Sequence, residues 1–330
     1  LLELTRERGA ARRALPFVAR LILFVFSRPL LLKVSMWKAR VLRASGIPSL
    51  LARLPGRAGF AMAMLASTRR SGAGASRTYD AAGDGARGRV ATLRGCVMEG
   101  LFAGVNRATE RTLAANGYAL VSAEGQRCCG ALHAHAGDAP AARKLARANI
   151  AAFERSGAEF VAVNSAGCGA AMKEYAHLLA EDAAWRDRAR AFSARVRDVS
   201  ELLAAAGPRR GGTLPMTVAY DAPCHLLHGQ RISAPPLAVL AAIPGLEQVP
   251  LADSDQCCGS AGIYNLVEPG MSNLVLAPKL ANIEASGAGI VATGNPGCLM
   301  QIGAGLLRSG SRTQLRHPVE LLDASYQRLR

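Results

Sequence analysis

The chain reads as an α/β protein built from two tandem, internally repeated βαβ-type domains with parallel sheets, preceded by a basic helical segment. Three observations predict this. From residue 90 onward, short β-branched runs alternate with longer Ala- and Leu-rich stretches of helical period. The eight cysteines fall at 96, 128, 129 and 168 and again at 224, 257, 258 and 298, so one constellation recurs with offsets of 128, 129, 129 and 130. The charge is also lopsided. Residues 1–94 hold 18 of the 40 Lys and Arg but 4 of the 24 Asp and Glu, which is +14 of the net +16. At 330 residues, with half of them apolar, the chain is long enough for two ordinary domains and is neither collagen-like nor disordered.

The elements follow in order. Residues 1–66 are a basic amphipathic helical segment. Within it Phe17, Leu21, Phe24, Leu30, Leu31, Leu32 and Trp37 alternate with Arg20, Arg28, Lys33, Lys38, Arg40 and Arg43, too often charged to span a bilayer. Such a stretch lies on a membrane surface or packs on the folded body or a partner. Arg20 interrupts the apolar run Leu15 to Phe26 and no small-residue cleavage site follows, so it does not read as a secretory signal. Residues 67–89, rich in Gly, Ser, Ala and Arg, read as a flexible linker.

In the first repeat, 90–207, strands are predicted at Arg89 to Arg94, Tyr118 to Ser122 and Phe160 to Asn164. Helices are predicted at Phe102 to Asn116, Ala141 to Arg155 and Ala170 to Leu179, with a charged helical stretch from Glu181 to Ala206 that ends at Gly207-Pro208. The second repeat, 208–330, has predicted strands at Thr217 to Tyr220, Glu247 to Pro250 and Gly289 to Thr293. Its helices are expected at Pro236 to Ala242, Asn273 to Ser286 and Leu299 to Leu307.

On that map Cys96, Cys168, Cys224 and Cys298 lie where a strand gives way to a helix. The pairs Cys128-Cys129-Gly130 and Cys257-Cys258-Gly259 occupy the loop after each repeat's middle strand. All eight thus sit beyond the carboxyl ends of parallel strands, where open α/β sheets build ligand sites. Several lie near helix N-termini, which favour the thiolate. Adjacent cysteines in one turn point apart, against a disulfide framework. Four converging thiolates hold either a tetrahedral Zn2+ or an iron–sulfur cluster. Neither the C-x2-4-C knuckles of structural zinc nor ferredoxin-type C-x2-C-x2-C runs are present. His133 and His135 after the first CCG, and His225 after Cys224, are candidates to ligate a centre or hydrogen-bond its sulfurs, whereas His177, His228 and His317 read as structural. No hydrolytic triad or paired carboxylate emerges. The one G-x-G-x-x-G, Gly83 to Gly88, precedes a strand instead of following it, so nucleotide binding is not supported. No nucleic-acid-binding module surrounds the basic arm.

The strings LRGCVMEGLFAGVNRATERTLAANGY, CCGALHAHAGD, VNSAGCGAAMKEYAHLLA, DAPCHLLHGQR, CCGSAGIYNL and VATGNPGCLMQIGAGL resemble the tandem cysteine-rich CCG domains of glycolate oxidase iron–sulfur subunits. Those domains are shared with the cysteine-rich subunit of heterodisulfide reductases and with lactate-utilisation proteins, and the resemblance covers about Val90 to Tyr326. It implies an electron-transfer subunit of a flavin-dependent 2-hydroxy-acid dehydrogenase; cysteines unsuited to a disulfide framework and an apolar run unlike a secretory signal place the chain in the reducing cytoplasm, and the basic arm allows a peripheral position on the inner face of the cell membrane. Such a subunit passes electrons from flavin-containing subunits toward the membrane quinone pool, with the eight cysteines holding [4Fe–4S] clusters. Relatives with a non-cubane cluster use five cysteines per site, and Ser165 and Asn295 stand here where the extra cysteine would be. That leaves an ordinary cluster, Zn2+ or an oxygen ligand from Ser165 open. Members of this kind begin with a ferredoxin module whose two four-cysteine runs are not in this sequence, so the chain is expected to correspond to the C-terminal part of such a subunit. The competing readings are a structural zinc scaffold and a thiol–disulfide redox protein.

Overall fold

A computed structural model describes residues 16–68 and 87–329. Four helices come first, α1 (Phe17–Phe26), α2 (Pro29–Ala44), α3 (Ile47–Leu51) and α4 (Gly56–Ser67). The first repeat runs β1 (Arg89–Thr92), α5 (Val97–Leu101), α6 (Ala103–Ala115), β2 (Ala119–Leu120), α7 (Ala131–His135), α8 (Ala139–Arg155) and β3 (Phe160–Val163). It continues through α9 (Ala166–Lys173), α10 (Tyr175–Leu178), α11 (Arg186–Ser193), β4 (Val196–Asp198) and α12 (Val199–Ala206). The second runs β5 (Met216–Tyr220), a π-helical turn (His225–Gly229), α13 (Ala234–Ala241), β6 (Leu246–Val249), α14 (Tyr264–Val267) and α15 (Pro269–Ala285). It closes with β7 (Ile290–Ala292), α16 (Pro296–Ser309), β8 (Gln314–Arg316) and α17 (Pro318–Tyr326).

The strands form two four-stranded parallel sheets of identical order, β2-β1-β3-β4 and β6-β5-β7-β8. Val90 pairs with Phe160 and Val218 with Ile290, so the cysteine repeat is also a repeat of register. The central strands carry fully buried residues (Val90, Ala91, Val161, Val218, Val291), as parallel strands covered on both faces require.

Three expectations are corrected. The stretch Glu181 to Ala206 is not one helix. It is α11, the strand β4 and α12, because Val196 and Asp198 are buried alongside β3 and Asp198 then caps α12 in a capping box with Glu201. A second unforeseen strand, β8, completes the other sheet. The helix expected at Ala170 to Leu179 starts earlier, at Ala166, and is broken at Glu174 into α9 and α10. Most of the 67–89 linker, and most of Gly83 to Gly88, lie outside the described residues.

The two repeats share a core. Phe102, Leu113 and Tyr118 of the first pack in one apolar cluster with Leu240, Leu322 and Tyr326 of the second. The helical segment also joins the body. Phe60, Ala63 and Met64 of α4 pack with Ile302 and Leu306 of α16. Gly303 permits this close approach, since a Cβ there would stand 2.8 Å from the Ser67 Cβ. No helix among the described residues is long and apolar enough to cross a membrane.

Candidate metal centre

Both sheets deliver their cysteines to one place. Cys96 caps α5, Cys168 sits in the first turn of α9, Cys224 caps the π-helical turn and Cys298 sits in the first turn of α16. The two CCG loops complete the set. Gly130 (φ +86°) and Gly259 (φ +84°) adopt the left-handed conformation that lets the chain turn after two adjacent cysteines. At Gly259 the turn aims its N–H at Cys257 Sγ, 3.3 Å away.

All eight cysteines line a single cavity of about 370 Å³ between the repeats. The sequence suggested a site at the edge of each sheet, and the packing of the repeats makes the two sets neighbours. Ile22 and Phe26 of α1 and Met64 of α4 also line the cavity, so the amphipathic segment forms part of its wall and packs on the body as one of its expected arrangements.

Within each quartet the sulfurs are linked. Cys96 and Cys128 are 3.5 Å apart, and Cys258 and Cys298 are 3.4 Å apart. Hydrogen bonds from the Cys129 and Cys96 thiols hold the Cys128 thiol well below the usual range, and Cys224 and Cys258 push Cys257 down to about 2. Cys96, Cys129, Cys224 and Cys258 are pushed up, first by their thiol neighbours and then by burial. All eight are free thiols, and among the described residues no three His, Cys, Asp or Glu side chains are arranged around a single point to hold one metal ion.

The donor set nevertheless suits a soft metal centre. Its ionisable lining among the described residues is thiols with His135 and His225, without a carboxylate or a lysine, and the rest is largely apolar. His135 and His225 face one another across the repeats with ring centroids 5.2 Å apart. His133 does not line the cavity. It bonds Asp138 through Nδ1 (2.9 Å) and buries a partnerless Nε2. His317 is structural, as expected, capping α17 and reaching Asn164 O at 3.0 Å. Ser165 and Asn295 both line the cavity.

Sequence reasoning missed the residues that hold the CCG loops. Asn149 accepts from the Arg127 N–H (2.7 Å) and donates to Cys128 O (3.1 Å), while the Tyr175 hydroxyl donates to Cys129 O (2.7 Å). In the second repeat Ser272 donates to Gly259 O (2.8 Å) and accepts from Gln301, which in turn accepts from Asn265. None of these carries a sequence signal beyond being a polar residue within a helix.

The family described as "Cysteine-rich domain", CCG, matches residues 90–173 and 218–303, which are the two repeats that meet at the cavity. The chain belongs to the CCG cysteine-rich domain family. It is 40% identical over 239 residues to the "Probable glycolate oxidase iron-sulfur subunit" of Bacillus subtilis (strain 168), covering 71% of this chain and 54% of that protein. It is 32% identical over 251 residues to the "Glycolate oxidase iron-sulfur subunit" of Escherichia coli (strain K12), covering 73% of this chain and 58% of the relative. Against "Lactate utilization protein A" of Exiguobacterium sp. (strain ATCC BAA-1283 / AT1b) it is 30% identical over 236 residues, 71% of this chain and 96% of the relative. The CCG chain thus spans somewhat over half the length of the two glycolate oxidase subunits. These names support the resemblance read from the CCG strings and an iron–sulfur cofactor.

Proposed function

We propose that this chain is the electron-carrying part of an oxidoreductase acting on 2-hydroxy acids of the glycolate or lactate class. On this reading Cys96, Cys128, Cys129 and Cys168 hold one iron–sulfur cluster of the [4Fe–4S] type, and Cys224, Cys257, Cys258 and Cys298 hold a second. Electrons arrive from a flavin-containing subunit and leave toward the membrane quinone pool, with the protein in the cytoplasm at the inner face of the membrane. The observation that carries the reading is the convergence of eight thiols on one cavity that no carboxylate enters among the described residues.

When bound, the clusters supply reversible one-electron storage. The protein's own residues do the rest. Asn149, Tyr175 and Ser272 fix the CCG loops and so the cysteine positions. The Gly259 N–H and the Asn295 amide, 3.4 Å from Cys298 Sγ, aim donors at sulfur, which stabilises negative charge there and would raise the potential of a cluster held by these cysteines. Ile22, Phe26, Leu132 and Met300 make much of the remaining wall apolar. On this reading substrate oxidation belongs to the partner subunit.

Anaerobic purification followed by iron, acid-labile sulfide and zinc analysis tests this. Iron with sulfide and a visible absorption that bleaches on reduction is expected. Zinc without visible absorption would replace the reading with a structural scaffold.

A further inference from the structure

The described part of the helical segment carries an unusual surface. Among the described residues, thirteen of the nineteen exposed large hydrophobic side chains lie between Phe17 and Leu54, though this stretch is a small part of the chain. On α2 no residue is buried at all. Leu30, Val34, Trp37 and Val41, at i, i+4, i+7 and i+11, form one helical stripe and are 77%, 50%, 57% and 51% exposed. A soluble surface rarely leaves so many large apolar side chains together unless something covers them.

The charge around the stripe says what covers it. Residues 16–68 contain no Asp or Glu, whereas Arg20, Arg28, Lys33, Lys38 and Arg40 are all exposed on α1, α2 and the turn between them. None of these five forms an ion pair among the described residues. Lys33 and Arg40 flank one side of the stripe and Lys38 the other, and their alkyl stems can lie along it while the charged ends reach outward. Aliphatic and aromatic residues on one face, bordered by cations, fit an interface where hydrocarbon lies below and anionic phosphate alongside.

We propose that the exposed face of α1 and α2 docks on the surface of an anionic lipid bilayer, lying in the interface without crossing it. The inference deepens the electron-transfer reading and rests on it for its purpose, since that reading sends electrons to the membrane; the binding itself needs no cluster. It also orients the molecule. The same α2 walls an open cleft of about 840 Å³ that reaches Cys96 and Cys128, with Lys33, Trp37 and Arg40 at its α2 side. Docking through α2 therefore brings the cleft that reaches Cys96 and Cys128 beside the lipid.

The test uses the whole 330-residue chain with vesicles of phosphatidylcholine, alone or mixed with phosphatidylglycerol. The protein is expected to sediment with the mixed vesicles, to be released by salt, and to ignore the uncharged ones. In a Trp185→Phe background Trp37 is the remaining tryptophan, and its emission should shift to the blue on binding. The variant Lys33→Glu/Lys38→Glu/Arg40→Glu should bind on the order of 100-fold or more weakly, from three surface charges removed and reversed. Circular dichroism and iron content serve as the folding control. Failure to sediment with either vesicle would overturn the proposal and leave the face to a protein partner, as would equal binding of both vesicle types or an unaffected triple variant. Vesicle binding without iron would sink the electron-transfer reading and leave the docking surface standing.

Discussion

Asn295 Oδ1 accepts a hydrogen bond from the backbone N–H of Gly167 at 3.3 Å, tying the second repeat to the first beside the cysteines of both. The corresponding residue of the first repeat, Ser165, makes no capping bond to α9 although it is the N-cap, and it is 2% exposed at the cavity. The two positions have become different parts. Asn295 is a bridge, held before Pro296, while Ser165 is a small side chain at the site.

A cysteine at each position should therefore have different consequences. Ser165→Cys should leave stability within about 1 kcal/mol and change the electron paramagnetic resonance signal of the first centre. Asn295→Cys should strand the Gly167 N–H, costing about 1–3 kcal/mol in urea unfolding, and alter mainly the loop. Equal behaviour of the two variants in both measurements would remove the distinction.

The ligand assignment has its own test. Cys129→Ser and Cys258→Ser should each lose the iron of their own quartet, so that each variant retains roughly half of the parent's iron. Unchanged iron in both variants would show that these thiols are not ligands. Loss of all iron from either one would show that sharing a cavity has made the two centres depend on each other.

The second repeat has a buried ion pair that bears on stability. Lys279 Nζ lies 2.6 Å from Asp221 Oδ1, each side chain is 2% exposed, and Lys279 also donates to Asp253 O and Ser254 O. Burial pushes the Asp221 carboxyl up against the pull of Lys279 and Thr293. Lys279→Met would leave that carboxyl unpaired and should cost about 3–5 kcal/mol. Adding Asp221→Asn should recover much of the loss. Urea denaturation of the two single variants and the double variant reads the coupling, and strictly additive effects would contradict it.

What was legible in the sequence follows from where the information sits. The eight cysteines and the strands β1, β3, β5 and β7 were readable because their patterns are local. The strands β4 and β8 were not, being three residues long with an Arg in each and gaining their order from β3 and β7. A cue was present nonetheless, in Asp198 with Glu201 and His317 with Glu320, which are capping boxes that open at the last residue of β4 and just after β8. The shared cavity was out of reach of sequence spacing, because it depends on how Phe102 and Leu113 meet Leu240 and Tyr326 across the repeats.

His317 makes the last prediction, because its protonation state is written in its bonds. Its Nδ1 accepts from the Val319 N–H at 3.1 Å and its Nε2 faces Asn164 O at 3.0 Å, so the neutral ring with hydrogen on Nε2 satisfies both. Burial pushes its pKa down to about 4, below the ordinary 6.5. The unfolded chain therefore binds the extra proton first. The stability that the neutral ring contributes is fully present above pH 6.5 and is lost as the pH falls toward 4. Asp198 acts oppositely in nearly the same range, since burial raises it to about 6 and its cost grows as the pH rises from 3.8. A comparison that leaves Asp198 untouched isolates the histidine. In His317→Asn the amide oxygen can still accept from Val319. The stability difference between parent and variant, from urea unfolding, should widen in the parent's favour by on the order of 3 kcal/mol between pH 4 and pH 7, at about 1.4 kcal/mol per pH unit. A difference that stays constant across that range would mean that His317 does not hold this tautomer between the two repeats.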